Sequence, residues 1–516
     1  MRRWKTFFEI VLFPLKVLVV GFILLGFGEL IINENFSLFY TISNQYILIF
    51  ASLLILVGRF VISSFPILLI LKFVSKRTHS SSTIIMGLTG YVVFLITTML
   101  FAPTTLSATS YSDILGISYS AINTATGILI TREPIQTGLL GSFIVGLCTH
   151  MSYHNSRGKQ SYGLFAFVDK NTYGVVLNIL FCTIAGIIVA LGWQYLDEYT
   201  INIVDFISSD ITNPINMFLY GIFDRLFSIS FVGESIRQPF WYTAVGGSWN
   251  SITGEAVLGD VNIWTKIISS GENALSYGRF ITPYYVLNIF AIPGLLLGMF
   301  TIYTDKIQRN RLVVFLILLI IVSILTGTLL PVELFLLFLC PLLLLFHILY
   351  TGLLFGIFEY THTYLGFRFS GDVVTALPGK FIDYVVFLRR VDYFSTLRVI
   401  LIVGVISFFV YFFMTRIYFK FLAFDLFDLG KKKLITEGFT EAIGGIDNIK
   451  MINASPYRLI VQIVDIENID LIKLQKLGAT KVSRTRAGLA FSFGSSSYMI
   501  KRLLDRQIMA NKRNVE

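Results

Sequence analysis

About ten segments of this 516-residue chain are long or apolar enough to enter a lipid bilayer, and short basic clusters separate them. A helix needs roughly 20 apolar residues to cross the hydrocarbon core. The clearest runs are 10–32, 46–74, 83–103, 174–196, 285–304, 312–330, 332–358 and 396–424. Shorter runs at 113–130, 136–150 and 213–232 read as half-spans or re-entrant pieces. Broken segments are tolerated at membrane depth where they line a cavity or pack against protein, so the centre of the chain is a candidate substrate site. Composition agrees: 55% of residues are hydrophobic, 48 are Phe, mean hydropathy is +0.74, and 14% are charged. Soluble domains carry about 25% charged residues.

The net charge of +10 does not point to nucleic acid, because the basic residues sit between apolar runs. Arg2, Arg3 and Lys5 precede the first run. Lys72, Lys76 and Arg77 follow the second, Arg157 and Lys159 form a loop, and so do Lys306, Arg309 and Arg311. Lys431, Lys432 and Lys433 close the apolar part. This is the distribution of a positive-inside topology, and an even number of spans would put both termini in the cytoplasm. The apolar start lacks a small-residue cleavage site and reads as a retained span. Cys148, Cys182 and Cys340 form no CxxC pair and read as small buried hydrophobes. No cofactor or metal site is expected.

After Lys433 the pattern changes. YRLIVQIVDI alternates as a strand, and ENIDLIKLQKLG repeats as a helix. The expected organisation is a membrane part over 1–425, a charged linker over 426–435, and a soluble α/β module over 436–510. A module of about 70 residues can fold alone.

Two stretches carry a family resemblance. The tail AIGGIDNIKMINASPYRLIVQIVDIENIDLIKLQKLGATKV, ending in AFSFG, resembles the IIB domain of the glucose, maltose and N-acetylglucosamine class of the bacterial phosphotransferase system. Gly444, Gly445, Asn448 and Ile449 match its A-L-G-G-x-x-N-I opening. Ala454, Arg458 and Leu459 match D-A-C-x-T-R-L-R. Asp470, Leu474, Leu477, Gly478 and Ala479 match the next element, and Phe493 and Gly494 the end. In the membrane part, LYGIFDRLFSISFVGESIRQPFWY is similar to the IIC segment Y-G-x-x-E-R, G-L-H-H, P-F. ILTGTLLPVELFLLFLCPLLLLFHILYTGL is similar to L-T-G-I-T-E-P-I-E-F followed by A-P and His, with Gly327, Pro331, Glu333, Pro341 and His347 in place. The resemblance covers nearly the whole chain, IIC before IIB. It implies a polytopic α-helical IIC fold with re-entrant pieces between about 300 and 380. It also implies a homodimer in a bacterial plasma membrane, a sugar ligand, phosphotransferase-system partner proteins and a cytoplasmic C-terminal domain.

The chemistry of the family departs here at three places. A cysteine thiolate normally receives the phosphoryl group, because it is a strong nucleophile near neutral pH. Asn453, Ala454, Ser455, Pro456, Tyr457, Arg458, Leu459 and Ile460 now occupy that motif. Ser455 is a weak nucleophile without an activating neighbour, Pro456 removes an N–H, and Ile460 replaces an arginine that would grip an anion. The IIC glutamate that the family uses on the reacting hydroxyl aligns with Leu330, which can neither accept a proton nor orient a hydroxyl. The paired histidines align with Gly233 and Glu234, while Asp224, Arg225, Pro239 and Phe240 retain the family's pattern.

Substrate-binding candidates are therefore Asp224, Arg225, Glu234, Glu255, Glu333 and His347. Glu234 reads equally as a sugar ligand or a surface loop carboxylate. Glu255 reads more readily as a loop carboxylate, Glu333 as a pairing group near a helix break, and His347 as a buried hydrogen-bonded histidine. Tyr and Trp over 241–249 read as an interfacial aromatic belt. Three functions remain: a degenerate permease that senses, regulates or facilitates without phosphorylation; an active permease coupling uptake to phosphorylation; and an interaction or immunity-type membrane protein that no longer handles sugar.

Overall fold

The computed structural model describes residues 2–32, 44–78, 80–112, 114–122, 129–157, 169–250, 254, 256–301, 306–367, 378–422, 438–454, 458–477, 479, 482–485 and 488–491, with 500, 501, 504, 505 and 508. It divides into two units, Met1–Phe419 and Lys420–Glu516.

The first unit is helical. It opens with α1 (Arg2–Ile32), α2 (Gln45–Ser63), α3 (Phe65–Thr78) and α4 (Ser82–Phe101), then a hairpin of β1 (Tyr119–Ile122) and β2 (Leu129–Arg132). Next come α5 (Gly138–Ser156), α6 (Lys170–Ser208), α7 (Pro214–Ile229), α8 (Glu234–Tyr242), a hairpin of β3 (Ser248–Asn250) and β4 (Ala256–Leu258), and α9 (Asp260–Ser269). One long span then runs as α10 (Thr282–Val286), a π-helical turn at Leu287–Ala291, and α11 (Ile292–Phe300). The unit ends with α12 (Lys306–Thr326), α13 (Leu330–Leu339), α14 (Pro341–Tyr360), α15 (Phe381–Phe387) and α16 (Phe394–Leu422).

Among the described residues, seven helices are long and apolar enough to cross a membrane, and Val313–Thr326 is a shorter apolar one. Two expected runs are each two helices. Run 46–74 breaks at Ser64, where Pro66 removes the N–H that would have bonded Ile62. Run 332–358 breaks at Cys340 (φ −137°, ψ 64°), which Pro341 forces out of the α region. The expected half-span at 113–130 is not helical where it is described; Tyr119–Ile122 pairs antiparallel with Leu129–Arg132. Alternating Ser, Ala, Ile and Thr in that stretch fit a pleat better than a helix.

Lipid gives helices little hydrophobic reason to associate, so small residues and buried polar groups hold them together. Between α7 and α14, a Cβ on Gly221 would lie 2.9 Å from the Gly352 Cα, and one on Gly352 would lie 2.7 Å from the Phe218 carbonyl. Only glycine permits this approach. On α6, Asn178 donates to the Met86 carbonyl of α4 at 2.6 Å and accepts from Ser152 of α5 at 3.4 Å. Asp197 of α6 accepts from the Ser107 N–H (2.9 Å) and from the Ser107 and Ser110 hydroxyls. Lys380 pairs with Glu29 at the end of α1.

The second unit carries an antiparallel sheet in the order β5-β6-β8-β7, from β5 (Ile449–Ala454), β6 (Leu459–Ile463), β7 (Val482–Thr485) and β8 (Gly488–Phe491). Helix α17 (Leu471–Lys476) follows the N-cap Asp470, which accepts from the Lys473 N–H at 2.9 Å. Phe439, Ile443, Leu459, Val461, Leu474 and Phe491 form its core. The alternating segment is thus β6 and the periodic segment α17. Gly444 has φ 84°, and a Cβ there would meet Asn468 at 2.9 Å. Asn448 donates to the Ile443 (2.6 Å) and Asp465 (2.8 Å) carbonyls and accepts from the Asp465 N–H (2.7 Å). The Gly-Gly-x-x-Asn opening is therefore a turn locked by one side-chain amide.

Candidate functional site

Four of the six candidate residues meet inside the membrane unit. Asn213 caps α7 and Pro214 starts it, which sets the face that points Asp224 and Arg225 inward. Both are buried. Arg225 donates to Asp224 Oδ2 from Nε (2.8 Å) and from a terminal nitrogen (2.5 Å). It also reaches the Tyr284 hydroxyl (3.0 Å) and Glu333 Oε1 (3.1 Å). Glu333 occupies the first turn of α13 behind Pro331, so its expected pairing near a helix break is with Arg225. His347 of α14 places Nε2 3.2 Å from Glu333 Oε1 and Nδ1 2.8 Å from the Tyr411 hydroxyl of α16. The neutral Nε2–H tautomer satisfies both nitrogens, with Tyr411 donating to Nδ1.

Three further residues complete the network and were not singled out from the sequence. Arg237 of α8 donates to Asp224 Oδ1 (2.6 Å) and to Ser228 (2.7 Å). Tyr284 of α10 donates to Asp224 Oδ2 (2.5 Å). Tyr411 closes the far end. An arginine among apolar runs was the available signal for Arg237; the two tyrosines carry none in the sequence. Two carboxylates thus face two guanidinium groups, so the buried charges compensate locally. Arg225 lies 5.0 Å from the Tyr284 ring centre, and Arg237 lies 5.5 Å from that of Trp241. Glu333 Oε2 is the one carboxylate oxygen of the network that is buried without a hydrogen-bond partner among the described residues.

The other candidates lie elsewhere. Glu234 begins α8, with its side chain 42% exposed, and approaches Arg237 only to 4.0 Å. Glu255 and Ser455 lie outside the described residues. Leu330 is the first residue of α13, half-buried, one turn before Glu333. Trp241 corrects the aromatic-belt expectation: it is buried and donates to the Tyr220 hydroxyl at 3.0 Å, because the indole packs inward between α7 and α8. In the second unit, Asn453 and Ala454 end β5, Asn453 Oδ1 accepts from the Ala454 N–H at 2.9 Å, and Arg458 is exposed just before β6.

No protein-family model matches the sequence. The "PTS system glucoside-specific EIICBA component" of Staphylococcus carnosus (strain TM300) is 26% identical over 515 residues, 97% of this chain and 72% of that protein. Among solved structures, the transporter ChbC, described as the IIC component from the N,N'-diacetylchitobiose-specific phosphotransferase system, aligns over 80% of this chain and 94% of its own, with 12% identity and a TM-score of 0.28. Over nearly its whole length the chain is therefore similar to a phosphotransferase-system component, and seven of its described helices are long and apolar enough to make it a multi-pass membrane protein.

Proposed function

We propose that this chain binds or moves a sugar across the membrane without phosphorylating it. The observation that carries this reading is Leu330, a hydrocarbon side chain at the start of α13, where the family resemblance puts the glutamate that handles the reacting hydroxyl. The retained glutamate one turn later, Glu333, is held by Arg225 and His347 and keeps a single oxygen for a ligand hydroxyl. Asp224, Arg225, Arg237 and His347 would then position the sugar, with a glucoside-type ligand suggested by the relative's name. The family resemblance supports a homodimer as the working assembly. The replacement of the IIB cysteine by Ser455 supports the same conclusion from the other end of the reaction.

One observation favours a second reading. Arg225 spends its donors on Asp224, Glu333 and Tyr284. An arginine so engaged also serves as a structural clamp in an interaction-type protein without a sugar.

Membranes carrying the chain, supplied with phosphoenolpyruvate and the general phosphotransferase proteins, are expected to form no sugar phosphate from labelled glucose or an alkyl glucoside. They are expected to bind or equilibrate the sugar. Phosphorylation at the rate of an ordinary permease sinks the proposal, and absence of both binding and equilibration selects the clamp. The double variant Leu330→Glu, Ser455→Cys is expected to gain phosphorylation, which would establish both positional assignments.

A further inference from the structure

We propose that Glu359, at the end of α14, is a proton-binding site that links proton movement to sugar movement. This rests on the sugar-moving reading above. Glu359 is 1% exposed, yet among the described residues only one of its carboxylate oxygens is engaged. Oε1 accepts from Arg279 (3.0 Å) and from the Tyr364 hydroxyl (2.8 Å), while Oε2 is buried with no hydrogen-bond partner among the described residues. An ionised carboxylate oxygen left dry and unbonded is unfavourable, and a proton relieves it. Glu359 is the next-to-last residue of a helix long and apolar enough to cross a membrane, and ionisable groups in such helices are functional candidates, proton relays among them.

A path to water is built beside it. His362 is exposed, and its Nδ1 lies 3.3 Å from the Tyr364 hydroxyl. His362 has φ 48°, the left-handed region that glycine normally takes after a helix. The closing bonds run from the His362 N–H to the Glu359 carbonyl (3.1 Å) and from the Thr363 N–H to the Phe358 carbonyl (3.1 Å). A histidine kept at that position holds an imidazole next to Tyr364. Outliers of this kind concentrate where the side chain has a task. In the transfer, a hydronium ion from the aqueous side gives its proton to Nε2 of His362 and leaves as water. The Nδ1 proton then passes to the Tyr364 oxygen as the Tyr364 hydroxyl proton passes to Glu359. His362 ends neutral and Glu359 ends as the acid.

The charged and titratable groups that face Glu359 come from every neighbouring element. Arg279 precedes α10, Asp210 lies in the turn between α6 and α7, Asp260 starts α9, and His362 and Tyr364 follow α14. The Thr212 hydroxyl and N–H hold the Asp210 carboxyl below the usual carboxylate range, so that group stays charged. Arg279 beside Glu359 opposes a metal cation there. Arg279 also binds the Ile211 carbonyl (3.0 Å) and leads into the helix that carries Tyr284. Helix α14 carries both Glu359 and His347. Protonation at Glu359 therefore acts on two elements of the central network.

The test uses the full-length protein in proteoliposomes, with labelled glucose and an alkyl glucoside, recording counterflow and external pH. Wild type is expected to show counterflow, and proton uptake should accompany downhill sugar entry. Glu359→Gln is expected to keep counterflow, which also reports folding, and to lose proton movement. Infrared difference spectra between acid and alkaline pH, taken without sugar, are expected to show a buried carboxylic acid band that Glu359→Gln removes. Counterflow without proton movement in wild type, or an unchanged band in the variant, overturns the proton site and leaves the sugar reading intact. Absence of counterflow with either sugar overturns both.

Discussion

The central network of the membrane unit and the glycine–asparagine turn of the C-terminal unit both hold residues that carry the family resemblance, but for different physical reasons. In the first, Asp224, Arg225 and Glu333 are buried and Arg237 is half-buried beside them, so the four form a mutually compensating set. In the second, Asn448 and Gly444 hold a turn of the backbone, and the neighbouring strand end at Asn453 and Arg458 is open. Loss of one buried charge strands its partners in a low dielectric, whereas change at an exposed loop leaves the fold intact.

The sharpest way to break this comparison is Arg225→Met. It leaves Asp224 and Glu333 short of a cation, and detergent-solubilised protein is expected to lose about 3–5 kcal/mol of stability by thermal or denaturant unfolding. A loss under about 1 kcal/mol would mean the carboxylates are not held as a charged set. Asn448→Ala comes next. It removes three hydrogen bonds to backbone and is expected to weaken the C-terminal unit by about 2–3 kcal/mol. Hydrogen exchange on the full chain should rise in β5 and β6 and stay unchanged in α7. Gly352→Ala should cost about 1–3 kcal/mol by wedging α7 from α14, because its Cβ has no room beside the Phe218 carbonyl. Equal stability of that variant would show that the two helices separate freely. The smallest effect is Asp470→Ala, about 1 kcal/mol from the lost cap of α17, seen as faster exchange of the Lys473 amide.

Much of the fold is legible in the sequence because lipid demands long apolar helices with satisfied backbones. Runs 10–32 and 83–103 correspond to α1 and α4 for that reason. Breaks at Ser64 and Cys340 were written as Pro66 and Pro341 but hidden inside continuous hydropathy. Helix α6 runs to Ser208, beyond the expected 196, because its last turns are amphipathic: Asp197 faces inward to Ser107 and Ser110. The site was half legible. Family motifs marked Asp224, Arg225, Glu333 and His347, but their joining depends on α7, α13 and α14 packing together. Tyr284 and Tyr411 look like ordinary apolar-run residues until tertiary structure brings them to Asp224 and His347.

The π-helical turn at Leu287–Ala291 sets a limit on what this chain can tolerate. Its extra residue divides one span into two faces: Tyr284 meets Asp224 on one side, while Gly294 and Gly298 back onto Phe408 and Phe412 of α16 on the other. Asn288, in the turn, binds the Gly327 and Pro378 carbonyls. Deleting one residue there would restore a regular helix and rotate one half against the other by about 100°. Tyr284 could then meet Asp224, or the glycines could meet α16, but not both. This span is accordingly intolerant in length, so a sequence one residue shorter here would encode a different membrane packing.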